Sequence, residues 1–176
     1  MRNHKKTLLW TTTAFVALSF SVWAYYVSIY FKHIYTLTDC SQGQVALIPK
    51  HLCQAYLYNY RGTRDDVVQI NHDGSLYGII STANKEDQSK LLEFLLKKGV
   101  DINGLDERVG TSPLHAAVLG NALEVTELFL HHGANPLVKD KKRSLTPLEF
   151  AQKLKSQPGQ PDRTAIIKLL EHATKS

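Results

Sequence analysis

The pattern of apolar and polar positions divides the chain into two regimes. Residues 7–31, TLLWTTTAFVALSFSVWAYYVSIYF, form a run of 25 without a charge. At 1.5 Å rise per residue, roughly 20 apolar residues cross the hydrocarbon core as a helix, so this run predicts one membrane-spanning segment. Trp10 lies near one end and Trp23, Tyr25, Tyr26, Tyr30 and Tyr35 near the other, as aromatic anchors at the water interface would. In the second half apolar residues recur at helical spacing instead. Val125, Leu128 and Phe129 give one predicted helix a buried face, and small Ala116 and Ala117 let a second helix pack closely against its neighbours.

Punctuation sets the bounds of these helices. Ser112 before Pro113 caps an exposed backbone N–H, and Pro113 at the first helical position loses nothing by lacking one. Asn121 tolerates the left-handed turn between two helices, and Gly133 supplies the positive φ that ends the second. The arrangement then recurs. LLEFLLKKGVDIN at 91–103 matches VTELFLHHGANP at 125–136 with Gly99 and Gly133 34 apart, and Thr146-Pro147 follows Ser112-Pro113 by the same 34. The helix preceding the first match, within SLYGIISTANK at 75–85, lacks the start signal. The helix closing the last, AIIKLLEHA at 165–173, is delayed by SQPGQP at 156–161. Further upstream, the apolar run 45–60 and DDVVQIN at 65–71 predict one divergent unit, as expected for the end of a stack.

The segment GTSPLHAAVLGNALEVTELFLHHGANP at 110–136 resembles the ankyrin repeat, without a gap over 112–135. Ser112 stands where that family has Thr, followed by Pro113, Leu114 and His115, and Gly133-Ala134-Asn135 forms the closing turn. Asn121 replaces the usual Gly, and Glu149 replaces His in the later Thr146-Pro147-Leu148-Glu149. The resemblance implies an all-α ankyrin-repeat solenoid of about three repeats plus an N-terminal cap, following the one membrane helix. Its expected organisation is a cytoplasmic N-terminus at 1–6, a signal anchor at 7–31, a linker at 32–44, a capping repeat at 45–74 and repeats at 75–176. Turn fingers are expected around 101–110 and 135–144. In such repeats the residue at His115 is structural, as are Ser112, Pro113, Leu114, Gly133, Thr146 and Pro147.

Charge changes the picture once it is located. The net charge is +5, but Arg2, Lys5, Lys6 and Lys32 flank the apolar run, and the remaining 17 Lys and Arg face 16 Asp and Glu. A nucleic-acid binder would carry a basic stripe on its folded part, and only Lys139, Lys141, Lys142 and Arg143 resemble one, so nucleic acid is disfavoured. Three cations precede the apolar run and one follows it, which orients the N-terminus to the cytoplasm and the repeats outside. The rival reading is a cleaved signal peptide, with Val22-Trp23-Ala24 as the cleavage site. Against it, YYVSIYF continues the apolar run and Trp23 is bulky. A lipid-attached N-terminus is weaker still, because Cys40 lies far along the chain and follows Asp39. Cys40 and Cys53 are the two cysteines. In an oxidising compartment they form a natural disulfide, stabilising by about 3 kcal/mol in the chain-entropy model, and otherwise two buried thiols.

Catalytic chemistry is hard to find. His131 and His132 end a helix, where the macrodipole favours positive charge. No phosphate loop, nucleophile elbow or paired zinc-binding histidines occur in the sequence, and the expectation is a non-enzyme with neither cofactor nor metal. The expected contacts are on the surface: Asp106, Glu107 and Arg108 on the first finger, and Lys139, Asp140, Lys141, Lys142 and Arg143 on the second. Tyr77, Leu105 and Leu119 are the expected apolar anchors between them. The expected partner is another protein. Ankyrin repeats held outside the cytoplasm resemble bacterial inner-membrane proteins facing the periplasm, among them immunity proteins that neutralise toxic effectors such as type VI secretion phospholipases. An envelope scaffold and an accessory subunit of a membrane or periplasmic enzyme are the alternatives.

Overall fold

The structure, a computed structural model, describes residues 2–45 and 48–175. The side chains of 2–14 and 30, with the expected anchors Trp10 and Tyr30, and Ala46 and Leu47 of the expected cap lie outside the described residues. Among the described residues there are ten helices and no strand, in two compact units that meet between Leu57 and Tyr58, inside the third helix.

In the first unit, α1 (Arg2–Lys32) ends where His33 turns extended, at φ −112° and ψ 138°, before α2 (Ile34–Ser41). Phe15, Val16, Leu18, Phe20 and Val22 are 66–72% exposed, and at 100° per residue these positions spread over about 200° of the circumference of α1. No single helix among the described residues is long and apolar enough to cross a membrane. Only the bent pair Phe15–Ile29 and Ile34–Ser41, at 107° to each other, has the length and composition. The stretch expected as a linker at 32–44 therefore carries a helix. Ile34, Leu37, Thr38, Cys40 and Ser41 recur at helical spacing and are all buried, a stripe too short to stand out in the sequence. α3 (Lys50–Tyr60) buries Cys53 and Leu57, and Cys40 and Cys53 are joined by a disulfide with their Cα atoms 5.7 Å apart. Tyr56 meets Phe31 edge-on at 4.3 Å.

The second unit is a row of helix pairs. α4 (Arg64–Asp73) opens on a reciprocal cap: Thr63 Oγ1 accepts the Asp66 N–H, and the Asp66 carboxylate accepts the Thr63 N–H at 3.0 Å. Arg61 also binds Asp66. Burial raises the Asp66 pKa, but the bonds from Arg61 and Thr63 outweigh it, and the carboxyl titrates below its usual range. Three pairs follow: α5 (Leu76–Thr82) with α6 (Lys85–Lys98), α7 (Pro113–Leu119) with α8 (Leu123–His131), and α9 (Pro147–Lys155) with α10 (Thr164–Ala173). First helices pack on first helices, α5 on α7 and α7 on α9. Fully buried Ala117 and Ala151, again 34 apart, keep that row close. Leu91, Leu92 and Leu95 of α6, Phe129 of α8 and Leu170 of α10 fill the space behind it.

The delayed third pair has its own clamp. Arg163, 2% exposed, donates from Nε to the Val118 carbonyl at 3.2 Å and from a terminal nitrogen to the Leu119 carbonyl at 3.0 Å. These carbonyls end α7, where the helix dipole favours a cation, and that of Val118 also accepts the Asn121 N–H at 3.1 Å. Its other terminal nitrogen holds the loop itself, through the Pro161 carbonyl at 3.2 Å. One buried guanidinium thus ties the 156–161 insertion to the preceding repeat. Arg163→Ala is expected to lower stability by about 1–3 kcal/mol, since the Leu119 carbonyl and the 156–161 loop lose the guanidinium that holds them. Urea unfolding followed by circular dichroism measures this, and an unchanged midpoint contradicts the clamp.

Candidate functional site

The fingers are built on two aspartates 34 residues apart. Asp106 N–H donates to the Thr111 carbonyl at 3.0 Å, its carboxylate accepts the Arg108 and Val109 N–H groups, and Gly110 closes the turn at φ 78°. Asp140 repeats the scheme: its N–H donates to the Leu145 carbonyl at 2.9 Å, its carboxylate accepts the Arg143 N–H, and Ser144 takes φ 54°. The first finger also bonds to the end of α4, Glu107 N–H to the His72 carbonyl at 3.2 Å, and the second bonds to the first, Lys141 N–H to the Gly110 carbonyl at 2.8 Å. Asp106 and Asp140 are 8% and 3% exposed, so their carboxylates are spent inside the turns and offer nothing to a partner.

His115 joins the repeats beneath these fingers. Its Nδ1 lies 2.8 Å from Ser112 Oγ and 3.4 Å from the Ser112 backbone nitrogen, while Nε2 lies 2.9 Å from the Leu145 carbonyl. A carbonyl can only accept, so Nε2 carries the proton and Nδ1 accepts from Ser112. Glu149 occupies the same place in the next repeat but closes only its own cap, accepting the Thr146 N–H at 2.7 Å.

A groove of about 400 Å³ opens between α7, α9 and the two fingers. His115 and Phe150 form part of its floor, and Val109, Leu119 and Leu154 its apolar flanks. Arg143 and Lys153 line its rim; Val109 and Leu119 are 46% and 56% exposed. The Arg143 guanidinium has two attachments, lying 5.3 Å over the Phe150 ring and 3.7 Å from Asp140 Oδ2, a buried oxygen with no hydrogen-bond donor of its own. Of the residues singled out from the sequence, Leu119 and Arg143 line the groove with buried Asp106. Lys139, Lys141 and Lys142 stand exposed on the second finger beside it. Glu107 faces His72 at 3.3 Å, Arg108 reaches the Asp73 carbonyl, and Leu105 is half-buried before the first finger. Tyr77 is held against the backbone of Gly120, where any Cβ would fall 2.0 Å from its hydroxyl. Val109, Phe150, Lys153 and Leu154 went unnoticed in the sequence, although Phe150 and Leu154 are a helical i, i+4 pair.

Among the described residues no three His, Cys, Asp or Glu side chains come together as a metal site. A family model for ankyrin repeats, in three copies, matches residues 76–173, more than half of the chain. The chain belongs to the ankyrin-repeat family. The match begins at the first residue of α5 and ends at the last of α10, so the three repeats are the three helix pairs and α4 lies before them. A 2-5A-dependent ribonuclease from Homo sapiens is 37% identical over 88 residues, which is 50% of this chain and 11% of that protein. A B-cell lymphoma 3 protein homolog from Mus musculus is 37% identical over 82 residues, 47% of this chain and 18% of its own length. A putative ankyrin repeat protein from Rickettsia felis is 34% identical over 74 residues, covering 42% of this chain and 32% of itself. The chain thus spans only a small part of these relatives, and the likeness to the ribonuclease covers the repeats alone. An ankyrin-repeat domain is typically a non-enzymatic module that binds other proteins.

Two outcomes test this geometry. Burial pushes the His115 imidazole below its ordinary value of 6.5, against the opposing pulls of the Leu145 carbonyl and Asp140, with Arg143 adding to the depression. The unfolded chain therefore takes up this proton first, and the contribution is complete above pH 6.5 and drains away as pH falls toward the depressed folded value. Denaturation midpoints between pH 7.5 and 5 should fall more steeply for the native protein than for His115→Gln; equal slopes contradict the neutral bridge. Arg143→Ala should cost about 1–3 kcal/mol by leaving Asp140 Oδ2 without its cation, whereas Lys142→Ala should stay within about 0.5 kcal/mol. Equal melting temperatures for the two variants would show that Asp140 does not depend on Arg143.

Proposed function

We propose that this chain is a protein-binding module tethered to a bacterial inner membrane, with its repeats facing the periplasm and the groove between α7 and α9 as its contact surface. The groove carries the reading: exposed Val109 and Leu119 lie in a concavity rimmed by cations, the combination of apolar anchor and charged rim that concentrates interface energy. Tethering is supported by the uncharged run 7–31 and by the apolar residues exposed around α1. The periplasmic side is supported by the excess of cations before that run and by the Cys40–Cys53 disulfide, which persists in an oxidising compartment. In this setting the role is that of an immunity protein, occupying a toxic effector such as a type VI secretion phospholipase at the membrane under attack, where tethering raises its effective concentration.

Co-purification with the product of a neighbouring toxin gene is the direct experiment. The complex should survive Lys141→Glu with Lys142→Glu less well than it survives Lys85→Glu on α6. Arg143 is left intact because it also holds Asp140. Binding only to envelope proteins of the same cell would replace the immunity role by a scaffold or accessory one. Thiol labelling of native protein should find neither cysteine until a reductant is added; two freely labelled thiols would remove the disulfide and its support for the periplasm.

A further inference from the structure

The charges around the groove are one-sided. Of the side chains lining it, Arg143 and Lys153 are exposed cations, and the carboxylate, Asp106, is buried and bonded to backbone N–H groups. The adjoining finger at 139–143 sets four cations against the single buried Asp140. Lys141, Lys142 and Lys153 make no side-chain hydrogen bond or ion pair among the described residues, so their charge faces outward. Two exposed acids of these repeats are engaged elsewhere: Glu149 accepts the Thr146 N–H and hydroxyl and interacts with Lys139, and Glu107 lies against His72. Apolar surface at Val109, Leu119 and Leu154 sits within this positive rim.

We propose that the groove receives an acidic segment of a partner protein, one apolar side chain entering between Val109, Leu119 and Leu154 while carboxylates on either side meet Lys153 and the Lys141–Lys142 finger. The assignment rests on the protein-binding reading and specifies the partner's chemistry. Charge complementarity selects the sign, since a basic or neutral segment would leave these ammonium groups facing like charge or nothing. The apolar flanks select a protein over a bare polyanion, whose phosphates would use the lysines and leave Leu119 untouched. Arg143 is a positioning residue, kept over Phe150 by Asp140, and it shapes the groove wall rather than supplying free charge.

Short random peptides displayed on phage and selected against the purified full chain in lipid nanodiscs supply the probe. Selected peptides should be enriched in Asp and Glu around a Leu, Phe or Trp. Synthetic versions should lose affinity by about tenfold or more with Lys153→Glu and with Leu119→Ser, and should weaken as salt is raised. Both positions are exposed, and unchanged melting curves for the two variants show that the fold is intact. Three outcomes overturn the proposal: neutral or basic selected peptides, acidic peptides indifferent to both substitutions, or single-stranded DNA binding as tightly and without regard to Leu119. Acidic peptides that bind elsewhere sink the groove assignment yet leave the module a protein binder. An empty selection together with failed co-purification removes the protein-binding reading itself.

Discussion

The imidazole of His115 is where one repeat is made to depend on the next. Ser112 saturates Nδ1 from within the same repeat, which leaves Nε2–H free for the Leu145 carbonyl of the following one. A solenoid has no long-range core, so its stability is a sum of repeat terms and neighbour terms. The bond to Leu145 is a neighbour term made by a buried ring, where an unmet donor or acceptor is costly. It also sets the depth of the groove, because the ring lies beside Phe150, with centroids 5.9 Å apart, and both line the floor.

The fingers show how a surface can be charged and yet rigid. Asp106 and Asp140 turn inward to collect backbone N–H groups, which removes the one acid of the second finger from the surface and leaves Glu107 as the exposed acid of the first. What remains outside the second finger is predominantly positive. Arg143 belongs to both sides, balancing a buried oxygen while its guanidinium lies over Phe150. A charge that reads as a contact in the sequence can therefore be part of the framework that holds the contact surface.

The first unit obeys a different constraint. α1 exposes apolar side chains over more than half of its circumference, a wider arc than a single packed face covers. α2 and α3 are joined by the Cys40–Cys53 bond close to the unit's end at Leu57. A covalent staple suits a short segment with few helices to bury its apolar residues among.

The repeat was legible in the sequence because its determinants are local: Ser112-Pro113 starts a helix, Gly133 stops one, Asn121 tolerates a left-handed turn at φ 52°, and each does so within a few residues. The 34-residue step made the helix pairs countable, and the exposed lysines of the second finger could be picked out as well. Short α2 was missed since its buried stripe spans only two turns. The groove was only partly legible. Leu119 and Arg143 could be named, but Val109, Phe150, Lys153 and Leu154 come together from two repeats, and their meeting depends on how α9 packs on α7. Arg163 carries no signal at all, since a loop arginine becomes a buried clamp only when the carbonyls of α7, more than 40 residues earlier, arrive beside it. Local backbone chemistry thus determined where the repeats begin and end. Tertiary packing decided which charges face a partner, because burial and pairing are properties of neighbours in space rather than in sequence.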